Sequence, residues 1–331
     1  MGSEGEVAAQ RRRKRRREVI VVGAGAVLLV SALTGLRVPR TEIELDLQVS
    51  QLTFTLPAAN PIADPLAVTS LGVSNLQTIE LPRSRLREAE RFNEPSILLS
   101  VATLSTQRGS LNLDGLSLPA GAEISLRKSK IPGEYELFIN NSSAVIATSV
   151  DGPVRVVIGG RLDQNIDFPI PRQVRLSPER GVVKVDFALA DTSKLALSYQ
   201  LPIRRLQLSR IDEFTQSDEP IVRSISTIQS GTLYLESIEG EARPLRAGEG
   251  LQFRESDGEL RALELGGEYI ALQFVGQVRG MTVGSGRVKR SLMPTLYEWL
   301  VARHRLPLLW GTTVYVFGLI MSVLRWWRQE A

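Results

Sequence analysis

The hydrophobic positions divide the chain into two long apolar runs and a central region in which apolar and polar residues alternate. The first run covers 19–36 and the second covers 306–324, and neither contains a charged residue. A bilayer core of about 30 Å needs roughly 20 helical residues. The pattern therefore predicts two transmembrane helices, one at 19–36 and one at 305–325.

The first run has two competing interpretations. Gly23 and Gly25 resemble the start of a dinucleotide-binding turn, but Leu28 occupies the third glycine position and no polar helix face follows. A cleaved signal peptide is the other alternative, although the run is long for one and no clear cleavage site follows it. We favour an uncleaved membrane helix over both.

Between the runs, alternation with a period of two predicts short antiparallel strands, each with one buried face. The first such strand alternates up to Val49 and resumes out of phase at Leu52 after the polar pair Ser50 and Gln51. That change of phase is typical of a bulge. Glycine-containing pairs between the strands, such as Asp151-Gly152 and Asp257-Gly258, indicate turns. The predicted fold class is an all-β extracytoplasmic region of antiparallel β-sandwiches, flanked by two transmembrane helices.

The alternating region has one interruption, at 209–220, which is acidic, lacks alternation and ends in proline. We interpret it as a linker between a larger β-sandwich at 41–208 and a smaller β-domain at 221–286. A short helix is expected at 293–304, because Leu296, Trp299 and Leu300 fall on one face. Its expected place is the membrane interface, leading into the second span.

Charge predicts the orientation of the chain. A tail at 1–18 precedes the first run, and a shorter tail at 326–331 follows the second. The net charge is +4, yet seven consecutive basic residues directly precede the first run and are expected to hold the N-terminus in the cytoplasm. With two spans the C-terminus is cytoplasmic as well. These topology anchors are Arg11, Arg12, Arg13, Lys14, Arg15, Arg16 and Arg17.

Next to an apolar run, this basic cluster is better explained by membrane anchorage than by nucleic-acid binding, so no nucleic-acid partner is predicted. The outer flank of the second run, with Arg303 and Arg305, has a charge bias in the opposite sense. We base the predicted orientation on the first helix, because the positive-inside rule weakens for helices that follow a long translocated segment.

Two further features bear on the spans. Indole side chains prefer the headgroup layer, and Trp310, Trp326 and Trp327 lie near the two ends of the second run, so we take them as further anchors. Small residues four apart allow close contact between helices. The residues with that spacing are Ser31 and Gly35 in the first run and Gly318 and Ser322 in the second.

One stretch of the second β-region resembles a known family. The segment 231–235, followed by 245–251 with its sequence LRAGEGL, looks like the periplasmic β-domain of FecR-type regulators. The resemblance covers about 40 residues and implies a bacterial, extracytoplasmic β-module. It does not extend to anti-sigma activity, since those regulators carry a sizeable cytoplasmic domain where this sequence has an 18-residue tail.

Candidate chemistry is sparse. The sequence has no cysteine, which excludes disulfides, thiolate metal sites and cysteine nucleophiles, and His304 is its single histidine. The acidic candidates for a metal site, Asp163 with Asp167 and the carboxylates of 212–219, lack the spacing of a calcium loop. We predict no catalytic residue, no cofactor and no metal.

The sequence therefore favours a non-catalytic envelope protein of the bacterial cytoplasmic membrane, acting as a scaffold or accessory subunit of a membrane complex. Its expected partners are the lipid bilayer and other membrane or envelope proteins, and a homo-oligomer is compatible with the small-residue spacing. Two alternatives stay open. One is an ectodomain that binds polysaccharide or lipid, and the other is an envelope hydrolase that uses a pair of carboxylates.

Overall fold

Antiparallel strands dominate the computed structural model of the chain. The prediction of an all-β region between the two apolar runs is thereby confirmed. The structure describes residues 25, 31–62, 65–80, 99–140, 145–159, 162–178, 181–190, 195–197, 200–216, 219–265, 268–284 and 289–305, and single helical positions between 307 and 322.

Twenty strands are present in the described part of the chain. The first ten are β1 (Thr41–Val49), β2 (Gln51–Thr55), β3 (Asn60–Ile62), β4 (Leu66–Glu80), β5 (Leu99–Thr106), β6 (Ser110–Leu118), β7 (Glu123–Lys128), β8 (Glu134–Asn140), β9 (Val145–Ile158) and β10 (Leu162–Pro178). The others are β11 (Val183–Leu189), β12 (Leu195–Leu197), β13 (Leu201–Gln207), β14 (Ser209–Gln216), β15 (Glu219–Ser226), β16 (Ile228–Leu235), β17 (Glu241–Arg246), β18 (Gly250–Leu265), β19 (Ile270–Gly284) and β20 (Arg290–Ser291).

Helical structure is confined to short pieces. A 3-10 turn covers Glu236–Ile238, and the helix α1 covers Leu296–Ala302 inside the segment where the sequence predicts one. Residues 31–35 are helical, as are the described positions from 307 to 322. Among the residues that the structure describes, no helix combines the length and the apolar character needed to cross a bilayer. Most of the two predicted spans, the tails 1–18 and 326–331, and the anchors Arg11–Arg17, Trp326 and Trp327 lie outside those residues.

The chain forms two compact units. Unit 1 comprises Met1–Thr41, Glu236–Glu241 and Met293–Ala331, and unit 2 comprises Glu42–Leu235 and Ala242–Leu292. Unit 2 holds the strands on both sides of the predicted linker, so the division into a β-sandwich at 41–208 and a smaller domain at 221–286 is wrong. The reason is the pairing of the first strand, since Ile43 in β1 lies opposite Leu235 in β16.

The predicted linker at 209–220 is a hairpin. Strands β14 and β15 pair with each other as a separate two-stranded sheet, in which Arg210 lies opposite Ile225. The side chain of Ile211 in β14 is 71% exposed. Because strands pair through backbone hydrogen bonds, a hairpin can form without the apolar alternation by which strands are identified in a sequence.

Strand pairing in unit 2 includes a closed circuit of four strands. Strand β4 pairs with β5, β5 with β9 and β9 with β10, and β10 returns to β4. From β4 a second series leads through β11, β8, β7, β2, β13 and β18 to β19. Strand β1 then joins β19 to β16. Eighteen strands thus share one hydrogen-bonded network.

The change of hydrophobic phase at Ser50 marks an exchange of partner strands. Val49 and Leu52, on either side of the break, are both fully buried. Strand β1 pairs with β16, whereas β2 pairs with β7 and β13. The backbone N–H of Ser50 donates to the carbonyl of Thr227, and its carbonyl accepts from the backbone N–H of Lys128. Through these two hydrogen bonds, Ser50 contacts the residue that precedes β16, the partner of β1, and the last residue of β7, the partner of β2.

Several glycine-containing pairs that suggest turns lie inside long strands instead. Asp151-Gly152 falls within β9, where its partner changes from β6 to β5, and Gly152 has a φ of 74°. Asp257-Gly258 falls within β18. Glycine in a strand interior often marks a bend or a close approach of two backbones. In unit 2 these glycines mark bends and contacts within strands that continue past them.

Candidate functional site

Of the carboxylates proposed as metal ligands, Asp163 and Asp167 are not brought together, and the side chains of 212–219 lie outside the described residues. Asp163 and Asp167 are both exposed and lie four residues apart on β10, which corresponds to about 13 Å along a strand. Asp163 instead accepts two hydrogen bonds from Arg155, at 2.8 and 2.6 Å. Within the part of the chain that the structure describes, no group of three or more metal-ligating side chains is present.

The most connected charged cluster lies on one face of β7, β8 and β11. The Arg127 Nε donates to Glu136 at 2.6 Å, and the Lys184 Nζ lies 3.0 Å from the other oxygen of Glu136 and 2.8 Å from Asp186. Both cations also lie over the ring of Phe138, at 5.4 and 5.9 Å from its centroid. Because Glu136 and Asp186 are direct cross-strand neighbours, Lys184 offsets the repulsion between two like charges.

Glu136 is held in its ionised form. Burial works to raise the pKa of its carboxyl, but hydrogen bonds and positive charge from Lys184 and Arg127 outweigh that effect, so the pKa lies below its ordinary value. A general acid or base requires a pKa near the working pH. This cluster therefore has the properties of a cross-strand tie between β7, β8 and β11.

We expect Glu136→Gln to lower the free energy of unfolding by about 0.5–1 kcal/mol at pH 7. A carboxyl with a lowered pKa in the folded state stabilises the protein above its ordinary pKa and loses that contribution as acid protonates it. The difference between variant and wild type should therefore shrink as the pH falls below 4.5, the ordinary pKa of this carboxyl. Urea unfolding at several pH values measures it, with Glu123→Gln, an exposed residue of β7, as the control. A difference independent of pH would contradict this account.

In unit 1, the segment that follows the first apolar run is paired with the segment that precedes α1. Arg37 and Thr295 form an antiparallel bridge. The backbone N–H of Leu296 donates to the carbonyl of Leu36 at 2.8 Å, and that of Val38 donates to the carbonyl of Pro294 at 3.0 Å. The guanidinium of Arg37 also donates to the carbonyl of Met293. Two segments distant in sequence are thus joined by backbone and side-chain hydrogen bonds.

A buried hydrogen bond extends this junction to the 3-10 turn. The hydroxyl of Thr41 donates to that of Ser237 at 2.8 Å, and both side chains are buried. Helix α1 packs on the same turn, where Ile238 and Leu300 are each 8% exposed. Three separate stretches of the chain therefore form one small packed unit.

Helix α1 has well-defined ends. The Thr295 hydroxyl accepts from the backbone N–H of Glu298, and the Glu298 carboxylate accepts from the backbone N–H of Thr295, which is a capping box. At the other end, the backbone N–H groups of His304 and Arg305 donate to the carbonyls of Val301 and Leu300. His304 has a φ of 51° and occupies the left-handed position that usually carries glycine.

This turn directs two arginines onto one aromatic ring. The guanidinium carbon of Arg303 lies 5.0 Å from the ring centroid of Trp299, and that of Arg305 lies 5.7 Å from it. Arg303 follows Trp299 by one helical turn, and the left-handed His304 reverses the chain so that Arg305 reaches the same ring. Arg303, His304 and Arg305 are all exposed.

Exposed apolar side chains accompany this cluster. Tyr297 and Val301, one helical turn apart on α1, are 46% and 41% exposed. Further along the same unit, Trp310, Val314 and Tyr315 are 58%, 68% and 71% exposed. Unit 1 thus combines exposed aromatic and aliphatic groups with exposed arginines.

The four predicted helix-contact residues are among those that the structure describes. Ser31, Gly35, Gly318 and Ser322 are helical and exposed. A Cβ added at Gly35 or Gly318 would meet no described atom within 4 Å. Contact between the two helices through these residues stays a prediction.

Sequence reasoning found part of this site and missed the rest. The helical spacing placed Trp299 on one face of α1, and Arg303 was noted as a charge flanking the second run. It missed Arg305, because that contact depends on a left-handed residue that is not glycine, and it missed Arg37, whose bridge joins residues far apart in the sequence. The run of Arg303, His304 and Arg305 after a tryptophan was the available signal.

Comparisons with known proteins assign no family to this chain. No protein-family model matches it, and no curated protein matches it as a relative.

Proposed function

We propose that this protein is anchored in the bacterial cytoplasmic membrane by helices at 19–36 and 305–325, with both termini in the cytoplasm. Its β-strands then form an extracytoplasmic domain, and the protein acts as a non-catalytic scaffold or accessory subunit of a membrane or envelope complex. The resemblance of 231–251 to the β-domain of FecR-type regulators is consistent with this location. The anchorage and the scaffold role rest on separate observations.

The observation that carries the anchorage is the junction in unit 1. Arg37 follows the last residue of the first apolar run, and its bridge partner Thr295 lies eleven residues before the start of the second run at Leu306, with α1 in between. The end of the first run is thus joined to the segment that leads through α1 into the second run, and we expect the two runs to enter the same bilayer as neighbours. One membrane helix is enough to tether a domain, whereas two joined at a single junction also restrict its orientation.

The side chains of unit 1 support the same proposal. Aromatic and arginine side chains together are typical of the boundary between headgroups and acyl chains. Trp310 and Tyr297 are more than a third exposed, and Arg303 and Arg305 are exposed beside them. In water these apolar groups would be unfavourably hydrated, whereas at a membrane surface they would be buried.

The scaffold role is supported by the character of unit 2. Its charged cluster around Glu136 ties neighbouring strands together, and Asp163 is paired with Arg155. Most of its described aromatic rings are in the core, as with Tyr135 and Phe274, which are 0% exposed. Sugar-binding faces usually present aromatic rings to solvent, so this burial favours protein partners over polysaccharide.

Cysteine labelling tests the anchorage directly, because the natural chain contains no cysteine. Single substitutions Ser3→Cys, Lys130→Cys and Gln329→Cys report on the N-terminal tail, the exposed turn after β7 and the C-terminal tail. We expect a membrane-impermeant maleimide to label Lys130→Cys in intact spheroplasts, and to label the other two variants only after the membrane is permeabilised. Labelling of all three variants from the same side would refute the two-span topology.

The scaffold role needs its own experiment. The full chain, expressed with a mild tag in its native host, is crosslinked, solubilised gently and purified, and co-eluting proteins are identified by mass spectrometry. A reproducible set of membrane or envelope proteins is the expected result. Recovery of the chain alone from several detergents would overturn the scaffold role.

A further inference from the structure

The two arginine side chains at the end of α1 are not needed to cap the helix. The helix already has a capping box at its start and paired N–H groups at its end. Yet the guanidinium groups of Arg303 and Arg305 both approach the ring of Trp299. Two like charges held near one ring repel each other, and an anion close to both would remove that repulsion.

No acidic side chain supplies this anion. Among the residues that the structure describes, neither Arg303 nor Arg305 is in an ion pair with a carboxylate. The nearest acidic residue along the helix, Glu298, accepts the backbone N–H of Thr295 in the capping box. The positive charge at this end of α1 is therefore available to a ligand.

The position of both guanidinium groups over the Trp299 ring favours the binding of oxygen atoms. A guanidinium that lies against an aromatic ring uses the face of its plane, and its five N–H groups point outward within that plane. This arrangement suits the oxygens of a phosphate, which guanidinium groups bind through paired hydrogen bonds. Because the indole restricts both side chains, less conformational entropy is lost on binding than for two mobile arginines.

The neighbouring side chains indicate which phosphate compound fits. Tyr297 and Val301 are exposed on α1 itself, and Trp310 is exposed shortly after it in the chain. A soluble phosphate compound gives such apolar groups nothing to contact. A phospholipid offers both a negative headgroup for the arginines and acyl chains for the apolar residues.

We propose that Arg303 and Arg305, stacked on Trp299, form a binding site for the phosphate groups of anionic membrane lipids. The site deepens the proposed function and rests on its membrane anchorage. Trp299 acts as the platform that holds the two guanidinium groups, and the exposed face of α1 lies against the lipid. The site draws the end of α1 onto membrane rich in anionic lipid.

Native mass spectrometry of the full chain in a mild non-ionic detergent tests the site. Phosphatidylglycerol and phosphatidylcholine are titrated separately, and lipid adducts are counted. We expect wild type to prefer phosphatidylglycerol, and Arg303→Gln/Arg305→Gln to weaken phosphatidylglycerol binding about tenfold. The matched control Arg172→Gln/Arg175→Gln removes the same charge from two exposed positions of β10 and should leave binding unchanged.

A second variant separates the site from net charge. Trp299→Leu keeps both arginines but removes the platform, and we expect it to weaken phosphatidylglycerol binding several-fold. Equal binding by wild type and Arg303→Gln/Arg305→Gln, or equal loss in the Arg172→Gln/Arg175→Gln control, would overturn the proposal. Competition by millimolar glycerol 3-phosphate as effective as that of the lipid would also overturn it, because the site would then take a soluble phosphate compound.

Failure of the site can be distinguished from failure of the anchorage. Membranes from the same cells are washed with alkaline carbonate, which releases proteins that no helix anchors. A chain that is released lacks the proposed anchorage, and both proposals then fall. A chain that stays in the membrane but shows no preference for phosphatidylglycerol overturns the lipid site alone.

Discussion

Gly258→Ala is expected to lower the free energy of unfolding by about 2–4 kcal/mol. Gly258 in β18 lies directly opposite Gly276 in β19. A Cβ at Gly258 would stand 2.4 Å from the carbonyl oxygen of Val275 and 2.5 Å from the Cα of Gly276. Both obstacles are backbone atoms, so the two strands would have to separate. The opposite edge of β18 pairs Gly258 with Ile203 of β13, and a shift would disturb that ladder as well.

The neighbouring aromatic ring increases the expected loss. Phe274 is fully buried, and its Cζ lies 2.9 Å from the position of a Cβ at Gly258 and 2.7 Å from that of one at Gly276. The ring therefore occupies the space that two missing side chains leave open. Gly276→Ala should destabilise the protein to a similar degree, because its Cβ would lie 2.5 Å from the carbonyl oxygen of Asp257.

Gly72→Ala is the matched control for this prediction. Gly72 also lies inside a strand, but the nearest atom to an added Cβ is the Asp186 Cβ at 3.6 Å, an ordinary contact. We expect this variant to be neutral, or to be stabilised by a few tenths of a kcal/mol through the lower entropy of its unfolded chain. Urea unfolding of the full chain in mild detergent, followed by far-ultraviolet circular dichroism, measures all three variants. Similar midpoints for Gly258→Ala and Gly72→Ala would contradict the steric argument.

Tyr135→Ala is expected to cost about 3–5 kcal/mol. Tyr135 in β8 is fully buried and lies opposite Phe187 in β11. Their rings stack, with centroids 5.7 Å apart and planes at 22°. Removing the ring leaves a cavity between strands that several other strands hold in place, so little of the lost volume can be recovered by collapse.

Three further variants isolate the causes of that loss. Tyr135→Phe keeps the ring and should cost no more than about 1 kcal/mol. Tyr269→Ala removes a tyrosine that is 37% exposed and should cost well under half as much as Tyr135→Ala. In a double-mutant cycle with Phe187→Ala, we expect a coupling of about 0.5–1.5 kcal/mol for the stacked pair. A coupling near zero would mean that the cavity alone accounts for the effect.

The alternation of the chain predicted the strands well because burial of one face leaves a direct mark on the sequence. Ile43, Leu45 and Leu47 are each 0% exposed, as their spacing predicts. The break in phase between Val49 and Leu52 was also visible, although its cause was not. A bulge and an exchange of partner strands produce the same local pattern, and only the pairing of β1 with β16 and of β2 with β7 distinguishes them.

Glycine-containing pairs predicted the positions of turns poorly. The pair Pro132-Gly133 lies at a turn between β7 and β8, while Asp257-Gly258 lies inside β18. Both pairs have the composition of a turn. What distinguishes them is the strand that lies opposite, since Gly258 is required by the approach of the β19 backbone. That requirement comes from a residue elsewhere in the chain and has no local signature.

The sequence alone was sufficient for the properties that depend on each residue's own affinity for water. These are the all-β character of the central region, the alternating core positions and the two apolar runs on which the membrane proposal rests. Tertiary structure decided which distant residues meet. It joined both predicted domains in one strand network and made the first part of the predicted linker at 209–220 the strand β14. It also bridged Arg37 to Thr295 and brought two arginines to Trp299. Hydrophobic burial is nearly independent of the partner, whereas backbone pairing and stacking are specific to it, and the identity of the partner is settled only when the whole chain folds.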